Sequence, residues 1–141
     1  MKILLINGPN LNMLGKREPD KYGNITLNDI ESRLYDIAKS FEIELDVFQS
    51  NHEGELIDKI QNANCDGIII NAGGYTHTSV AIRDAISSAN IPTVEVHMTN
   101  IHAREEFRHK SLISGVSIAQ VVGFKNLSYE YALMGLIEYL K

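Results

Sequence analysis

Short apolar runs alternate with amphipathic stretches along the chain. Ile3 to Ile6 and Ile68 to Ile70 are uninterrupted apolar runs, which are typical of strands buried on both faces of a sheet. Between residues 43 and 47, apolar positions alternate with polar ones, which also indicates a strand. Strands are predicted at 2–7, 43–47, 68–70, 93–97 and 119–123.

The stretches between these strands carry apolar residues at helical spacing. The first helix is predicted to begin at Thr26, because Thr26 and Asp29 have the spacing of a capping box. A second is predicted to end near Ala63, a third to run from about 78 to 89, and a short one to cover 103–109. The last is expected to start at Ser128, a favourable N-cap residue, and to reach the C-terminus.

Strands that alternate with helices predict a parallel α/β sheet. Five strands are too few to close a barrel, so we expect a flavodoxin-like three-layer sandwich whose five-stranded parallel sheet has the order 2-1-3-4-5. No repeat or linker interrupts the pattern, and residues 1–141 are predicted to form a single domain. The stretch 8–24 has no periodicity, and a loop of that length in a compact domain is usually functional.

Composition and charge narrow the possible functions. Thirteen basic residues against 18 acidic ones give a net charge of -5, which argues against nucleic-acid binding because that requires clustered Lys and Arg. No apolar run exceeds four residues, so no membrane-spanning segment is predicted and the expected location is cytoplasmic. The single cysteine, Cys65, excludes an internal disulfide.

Amide and imidazole side chains occupy the predicted carboxyl ends of three strands. Asn7, Asn71 and His97 end strands one, three and four, and ligands bind beyond these ends in open α/β sheets. The long loop after strand one adds Asn10, Asn12, Arg17 and Tyr22. A glycine turn, AGGYTHTS at 72–79, follows strand three. A binding site is therefore predicted at this edge, the alternative being polar strand ends without a function.

Phosphate-binding and phosphoryl-accepting chemistries do not fit these residues. A flavodoxin phosphate loop is disfavoured because Pro9 removes a backbone donor. A receiver domain would need acids where Asn7 and Asn71 stand. The chain also lacks a Walker loop, a GxGxxG motif and a GxSxG motif.

Metal and imine chemistries are also disfavoured. The spacing of His97, His102 and His109 does not place them on one helical face, and no carboxylate cluster joins them. Lys125, just after strand five, is only a weak candidate for a Schiff base. Acid–base chemistry without a cofactor remains.

Two pairs of residues suit proton transfer. Glu95 lies on the same strand face as His97 and is expected to orient and charge-stabilise it; a purely structural Glu–His pair is the alternative. Arg17 lies in the same loop as Tyr22 and would favour its phenolate, lowering the tyrosine pKa. The alternative is that both are ordinary solvated loop residues.

Four segments together resemble the type II 3-dehydroquinate dehydratases. They are NGPNLN at 7–12 with LG at 14–15, REP at 17–19 with YG at 22–23, NAGGYTHTS at 71–79 with RDA at 83–85, and EVH at 95–97 with NIHAREEFR at 100–108. The resemblance covers essentially the whole chain. It implies the flavodoxin-like sandwich and the trans elimination of water from 3-dehydroquinate, giving 3-dehydroshikimate in the shikimate pathway. No cofactor or metal is implied.

The resemblance also implies a role for each catalytic residue. Tyr22 would be the base that removes the proton next to the ketone, and Arg17 would keep it deprotonated. Asn12 would hold a water or the developing enolate oxygen. His97, supported by Glu95, would protonate the departing hydroxyl.

Substrate-binding positions follow from the same resemblance. The backbone amides of Met98 and Thr99 would take the carboxylate, although the family more often has Ile and Ser there. Asp84 matches an acid that reaches a neighbouring subunit's site, and family members assemble as homododecamers built from trimers. The full set of implied binding positions is Asn71, His77, Asp84, Met98, Thr99 and Arg108.

Two other classes of function stay open. One is a flavodoxin-like enzyme that abstracts a proton from a different small hydroxy acid. The other is a non-catalytic binding module that keeps the pocket. Because Arg17, Tyr22 and His97 are all present, an active enzyme is favoured over a binding module that has lost its catalytic residues.

Overall fold

A single parallel sheet organises the chain. The structure is a computed structural model and describes residues 1–16, 20 and 23–141; Arg17 and Tyr22 therefore lie outside the described residues. The sheet has five strands in the order β2-β1-β3-β4-β5, which confirms the predicted topology. The strands are β1 Lys2–Asn7, β2 Glu44–Gln49, β3 Gly67–Asn71, β4 Thr93–His97 and β5 Ala119–Val122.

In the part of the chain that the structure describes, four long α-helices cover the sheet, two on each face. Helices α1 (Leu27–Ser40) and α4 (Leu127–Leu140) pack on one face, and α2 (Glu53–Gln61) and α3 (Val80–Ala89) pack on the other. This arrangement is the predicted three-layer sandwich.

The alternation of side chains along β1 explains the two cores. Ile3 and Leu5 point to the α1–α4 face, and Leu4 and Ile6 point to the α2–α3 face. All four are buried, as expected for a strand whose continuous apolar run predicts burial on both faces.

The start of α1 agrees with the prediction. Thr26 is its N-cap, and its hydroxyl accepts the backbone N–H of Asp29 at 3.1 Å. The Asp29 carboxylate in turn accepts the backbone N–H of Thr26 at 2.9 Å, which completes the capping box.

The predictions for the C-terminal half need two corrections. Helix α4 follows Asn126, and Ser128 is its second residue rather than its N-cap. The Ser128 hydroxyl instead accepts the backbone N–H of Phe124 at 3.0 Å, so it closes the turn before the helix. The short helix predicted at 103–109 consists of two separate 3₁₀ turns, Ile101–Ala103 and Glu106–Arg108.

The register brings strand ends together at one edge. Asn7 pairs with Gln49 of β2 on one side and with Asn71 of β3 on the other. His97 is the last residue of β4, next to Val122 of β5. Polar residues that are distant in the sequence therefore meet at the carboxyl edge of the sheet. Among the described residues, no helix is long and apolar enough to cross a membrane.

Candidate active site

A polar cavity of about 150 Å³ opens at the carboxyl edge of the sheet. It brings together six of the predicted site residues, from the ends of β3 and β4 and the segments that follow them: Asn71, His77, His97, Met98, Thr99 and Arg108. Its other lining residues come from these segments and from the one after β1, and they are Pro9, Asn10, Leu11, Gly73, Gly74, Ile101 and Arg104.

Among the described residues, three predicted site residues do not line this cavity: Asn12, Asp84 and Glu95. Arg17 and Tyr22 lie outside the described residues. Asn12 is exposed on the 3₁₀ turn Leu11–Met13, where its Oδ1 accepts from Nε2 of Gln49 at 3.4 Å. Asp84 is exposed on α3 and is absent from the cavity of its own chain.

His97 and Glu95 form the predicted pair. They point to the same side of β4, and His97 Nε2 donates to Glu95 Oε2 at 2.5 Å. His97 is 6% exposed and lines the cavity, whereas Glu95 is fully buried behind it. Since Nε2 is bonded to the carboxylate, Nδ1 is the ring nitrogen left for a ligand.

The Glu95 carboxylate has further neutral donors. The Ser111 hydroxyl donates to Oε2 at 2.8 Å, and the Ser114 hydroxyl donates to Oε1 at 2.6 Å. Burial raises the pKa of Glu95, but the hydrogen bonds from His97, Ser114 and Ser111 outweigh burial and hold the pKa below its ordinary value. The carboxylate is therefore ionised beside His97 at neutral pH.

His77 is the second imidazole in the cavity. Its Nδ1 donates to the backbone carbonyl of Lys110 at 2.8 Å, which fixes the tautomer and leaves Nε2 as an acceptor. Partial burial lowers the pKa of His77. The ring stacks against that of His97 with centroids 6.3 Å apart. A neutral His77 can accept a hydrogen bond from a ligand hydroxyl.

Asn71 is held by a buried tyrosine. Its Nδ2 donates to the Tyr129 hydroxyl at 2.8 Å, and that hydroxyl donates to Asn7 Oδ1 at 2.7 Å. Asn71 Oδ1 accepts the backbone N–H of Gly73 at 3.1 Å. Burial raises the pKa of the Tyr129 hydroxyl, so Tyr129 stays neutral and acts as a hydrogen-bonding bridge.

Two arginines give the cavity a local positive charge despite the net charge of -5. Arg104 donates to Thr99 Oγ1 at 3.4 Å, and its side chain is mostly buried. Arg108 Nε lies 3.1 Å from a carboxylate oxygen of Glu105. An anionic ligand would therefore find Arg side chains beside Met98 and Thr99.

The floor of the cavity is a close backbone contact. Gly8 donates its N–H to the Asn71 carbonyl at 2.8 Å, and a Cβ atom on Gly8 would lie 2.6 Å from the carbonyl oxygen of Ala72. Gly73 has φ +58°, and a Cβ there would lie 3.0 Å from the Pro9 carbonyl oxygen. Both positions require glycine because the segments after β1 and β3 touch through their backbones.

Sequence reasoning missed several residues that the structure brings to the site. Arg104 lines the cavity, Tyr129 holds the lining residue Asn71, and Ser111 and Ser114 hold Glu95 behind His97. Arg104 stands four residues before Arg108, a spacing that could have suggested a joint anion site. The serines lie in an aperiodic segment and carry no comparable signal.

Lys125 stands closer to the site than the sequence suggested. Its backbone N–H donates to the Met98 carbonyl at 2.8 Å, and its φ is 55°, a left-handed conformation that glycine adopts most easily. Within the described ranges, no group of three or more His, Cys, Asp or Glu residues is placed to hold a metal ion.

The fold and the cavity define an open α/β protein with a polar site, lined by two histidines, at the switch edge of its sheet. The family model described as Dehydroquinase class II matches residues 1–137. A 3-dehydroquinate dehydratase from Prochlorococcus marinus (strain MIT 9515) is 57% identical, with 100% of this chain and 98% of the relative covered. The chain belongs to the class II dehydroquinase family.

Solved structures agree with this assignment. A type II dehydroquinase from Butyrivibrio crossotus superposes with a TM-score of 0.92 and 48% identity, covering 99% of this chain and 97% of the other. One from Propionibacterium acnes gives a TM-score of 0.93 and 37% identity, covering 97% and 96%. The family and the flavodoxin-like fold that the sequence predicted are confirmed.

Proposed function

We propose that the chain is a type II 3-dehydroquinate dehydratase of the shikimate pathway, in which Tyr22, Arg17 and His97 carry out the elimination. Family membership supports the activity. The observation that carries the assignment of His97 is its bond to the buried Glu95 carboxylate at the wall of the cavity. Residues 1–141 are proposed to act as a single catalytic domain.

The reaction takes one proton and one hydroxyl from the substrate. The Tyr22 phenolate removes the proton next to the ketone, and the electron pair moves onto the carbonyl as an enolate. The enolate then expels the hydroxyl on the opposite face, and His97 protonates it so that water leaves. Tyr22 then releases its proton to solvent and His97 takes one up, which restores both groups for the next turnover. No cofactor and no metal takes part in this proposal.

His97 is suited to the acid role by its surroundings. The ionised Glu95 carboxylate accepts the hydrogen bond from Nε2 and fixes the ring, so that Nδ1 is the nitrogen that delivers the proton. The low solvent exposure of His97 strengthens this pairing.

The base is assigned from the resemblance and from residue chemistry. Arg17 supplies the positive charge that lowers the pKa of Tyr22. Asn12 holds a water or the enolate oxygen, and its contact with Gln49 keeps it beside the segment that forms the cavity floor.

Substrate recognition is proposed to divide between charge and hydroxyl contacts. Arg108 and the backbone amides of Met98 and Thr99 bind the carboxylate. Asn71 and His77 bind the hydroxyl groups, since both are neutral and held in fixed orientations.

The protein is also proposed to be a homododecamer built from trimers. Asp84 is exposed on α3 and absent from its own cavity, which suits an acid that reaches a neighbour's site. Exposed apolar side chains on and before α4 suit burial between subunits: Phe124, Leu127, Tyr131 and Met134. The cytoplasmic location expected from the sequence stays a prediction.

An ultraviolet assay with 3-dehydroquinate tests the proposal, because the product is a conjugated enone that absorbs where the substrate does not. Turnover is expected, unchanged by borohydride pretreatment or by a chelator. The Tyr22→Phe variant should lose turnover while it keeps its fold and its affinity for the substrate, since only the acidic hydroxyl is removed.

Each contrary result points to a different reading. Loss of activity after borohydride would indicate a lysine imine, with Lys125 as the first candidate. An active Tyr22→Phe variant would overturn the assignment of the base. A folded wild-type protein without turnover would favour another hydroxy-acid substrate or a binding module.

A further inference from the structure

The structure assigns Ser111 and Ser114 as positioning residues that keep Glu95 ionised and aimed at His97. This inference rests on the proposed dehydratase function and deepens it, because it names what controls the general acid. Neither serine lines the cavity. Each reaches the reaction only through Glu95, with which it shares a direct hydrogen bond.

Each serine hydroxyl is held in the donor role by a group behind it. A hydroxyl has one proton to donate and two lone pairs to accept with. Ser111 Oγ accepts the backbone N–H groups of Ile113 at 3.2 Å and Ser114 at 3.1 Å. With both lone pairs occupied, its proton is directed to Glu95 Oε2.

Ser114 is fixed in a corresponding way from the edge strand. Its Oγ accepts from Nε2 of Gln120, on β5, at 3.0 Å and donates to Glu95 Oε1 at 2.6 Å. A chain of aligned donors therefore runs from Gln120 through Ser114 to the carboxylate, and such chains strengthen each of their bonds.

The chemical nature of these donors matters as much as their number. Serine and glutamine are neutral, so they stabilise the buried anion without supplying a competing positive charge. An arginine in their place would neutralise the carboxylate that His97 needs. The titratable groups that face Glu95 are His97 on its own strand and His77 from the turn Gly73–His77.

The direction in which the pKa of Glu95 changes on loss of the serines follows from the form of the carboxyl group that they stabilise. Donors to a carboxylate favour its ionised state, so their loss raises the pKa of Glu95. With a raised pKa, Glu95 becomes protonated at a higher pH than in the wild type. His97 then loses its charged partner at that higher pH. The acidic limb of the kcat–pH profile should then move upward.

Steady-state kinetics of Ser111→Ala, Ser114→Ala and the double variant across pH test this assignment. We expect kcat to fall about tenfold for each single variant, as for loss of one hydrogen bond to a charged group. We expect the acidic limb of kcat to move to higher pH, further in the double variant, with KM nearly unchanged. Ser114→Thr, which keeps the hydroxyl, should restore the wild-type profile.

Ser117→Ala is the matched control. Ser117 lies in the same segment, and its hydroxyl donates to the Ile113 carbonyl at 2.8 Å rather than to Glu95. Its profile should match the wild type. If Ser114→Ala fails to fold, Gln120→Ala removes the donor behind Ser114 and should give a smaller shift in the same direction.

The contrary results are distinct. If the acidic limb does not shift in Ser114→Ala or in the double variant, the serines have only a structural role. The same conclusion follows if the Ser117→Ala profile shifts equally. A Ser114→Thr variant that behaves like Ser114→Ala would do the same. An inactive wild-type protein would instead count against the dehydratase function itself.

Discussion

At the scale of single residues, the site places an ionised carboxylate, Glu95, behind the buried imidazole of His97. Glu95 is fully buried, yet hydrogen bonds hold its pKa below the ordinary value. The Glu95 carboxylate accepts the hydrogen bond from His97 Nε2 and so fixes the imidazole at the wall of the cavity. The proposed role of His97 therefore depends on the presence of Glu95.

Replacing His97 with alanine is expected to lower kcat by about 10²- to 10⁴-fold, the range that general acids contribute. Stopped assays of product formation at saturating substrate would measure this. His102→Ala is the matched control, because His102 is exposed and does not line the cavity. A His97→Ala enzyme with normal kcat would require another acid.

The sequence was informative about residues at strand ends and silent about their supports. Asn71 and His97 end buried strands, so their meeting could be predicted from the parallel sheet alone. Ser111 and Ser114 lie between β4 and β5, in a segment without the hydrophobic periodicity from which their positions could be predicted. Their contact with Glu95 comes from tertiary packing, which a one-dimensional pattern does not encode.

At the scale of elements, α4 is tied to the sheet edge through one polar contact. The Tyr129 hydroxyl bridges Asn7 at the end of β1 and Asn71 at the end of β3. The helix thus does more than cover the core: it connects two strand ends on which the cavity is built.

Tyr129→Phe is expected to destabilise the protein by about 1–3 kcal/mol, since it leaves two buried amide groups without their shared partner. Urea denaturation followed by circular dichroism would measure the change. Tyr139→Phe is the control, because Tyr139 lies on the same helix and is exposed. Equal effects in the two variants would contradict the importance of the bridge.

Element types were predictable where burial and caps act locally. The apolar runs of β1 and β3 and the capping box of α1 need only neighbouring residues. The N-cap of α4 was predicted two residues too late, at Ser128 instead of Asn126, because the Ser128 hydroxyl accepts from the backbone N–H of Phe124 rather than from one inside the helix. Local propensity alone does not distinguish these two uses of a serine.

At the scale of the whole molecule, the proposed role of Asp84 in a neighbour's site can be tested by mixing subunits. His97→Ala and Asp84→Ala chains should each be impaired alone. After denaturation and co-refolding, some cavities would combine an intact His97 with an intact Asp84 from the adjacent chain. Activity above that of either parent is the expected result, measured by the enone assay.

Two controls sharpen the mixing experiment. Native mass spectrometry of the wild type should show an assembly of twelve chains. Mixing His97→Ala with Glu95→Ala should give no recovery, because the two residues are hydrogen-bonded within one chain and neither variant supplies an intact pair. Recovery in that second mixture, or none in the first, would contradict a shared site.

The glycine contact beneath the cavity has a consequence for how a ligand binds. Gly8 and Gly73 let two backbone segments meet so closely that neither has room for a side chain. The floor is therefore shaped when the sheet folds, and a ligand does not have to order it. The entropy lost on association then comes from the ligand and from the walls above, which favours affinity for a small rigid ring over a flexible chain.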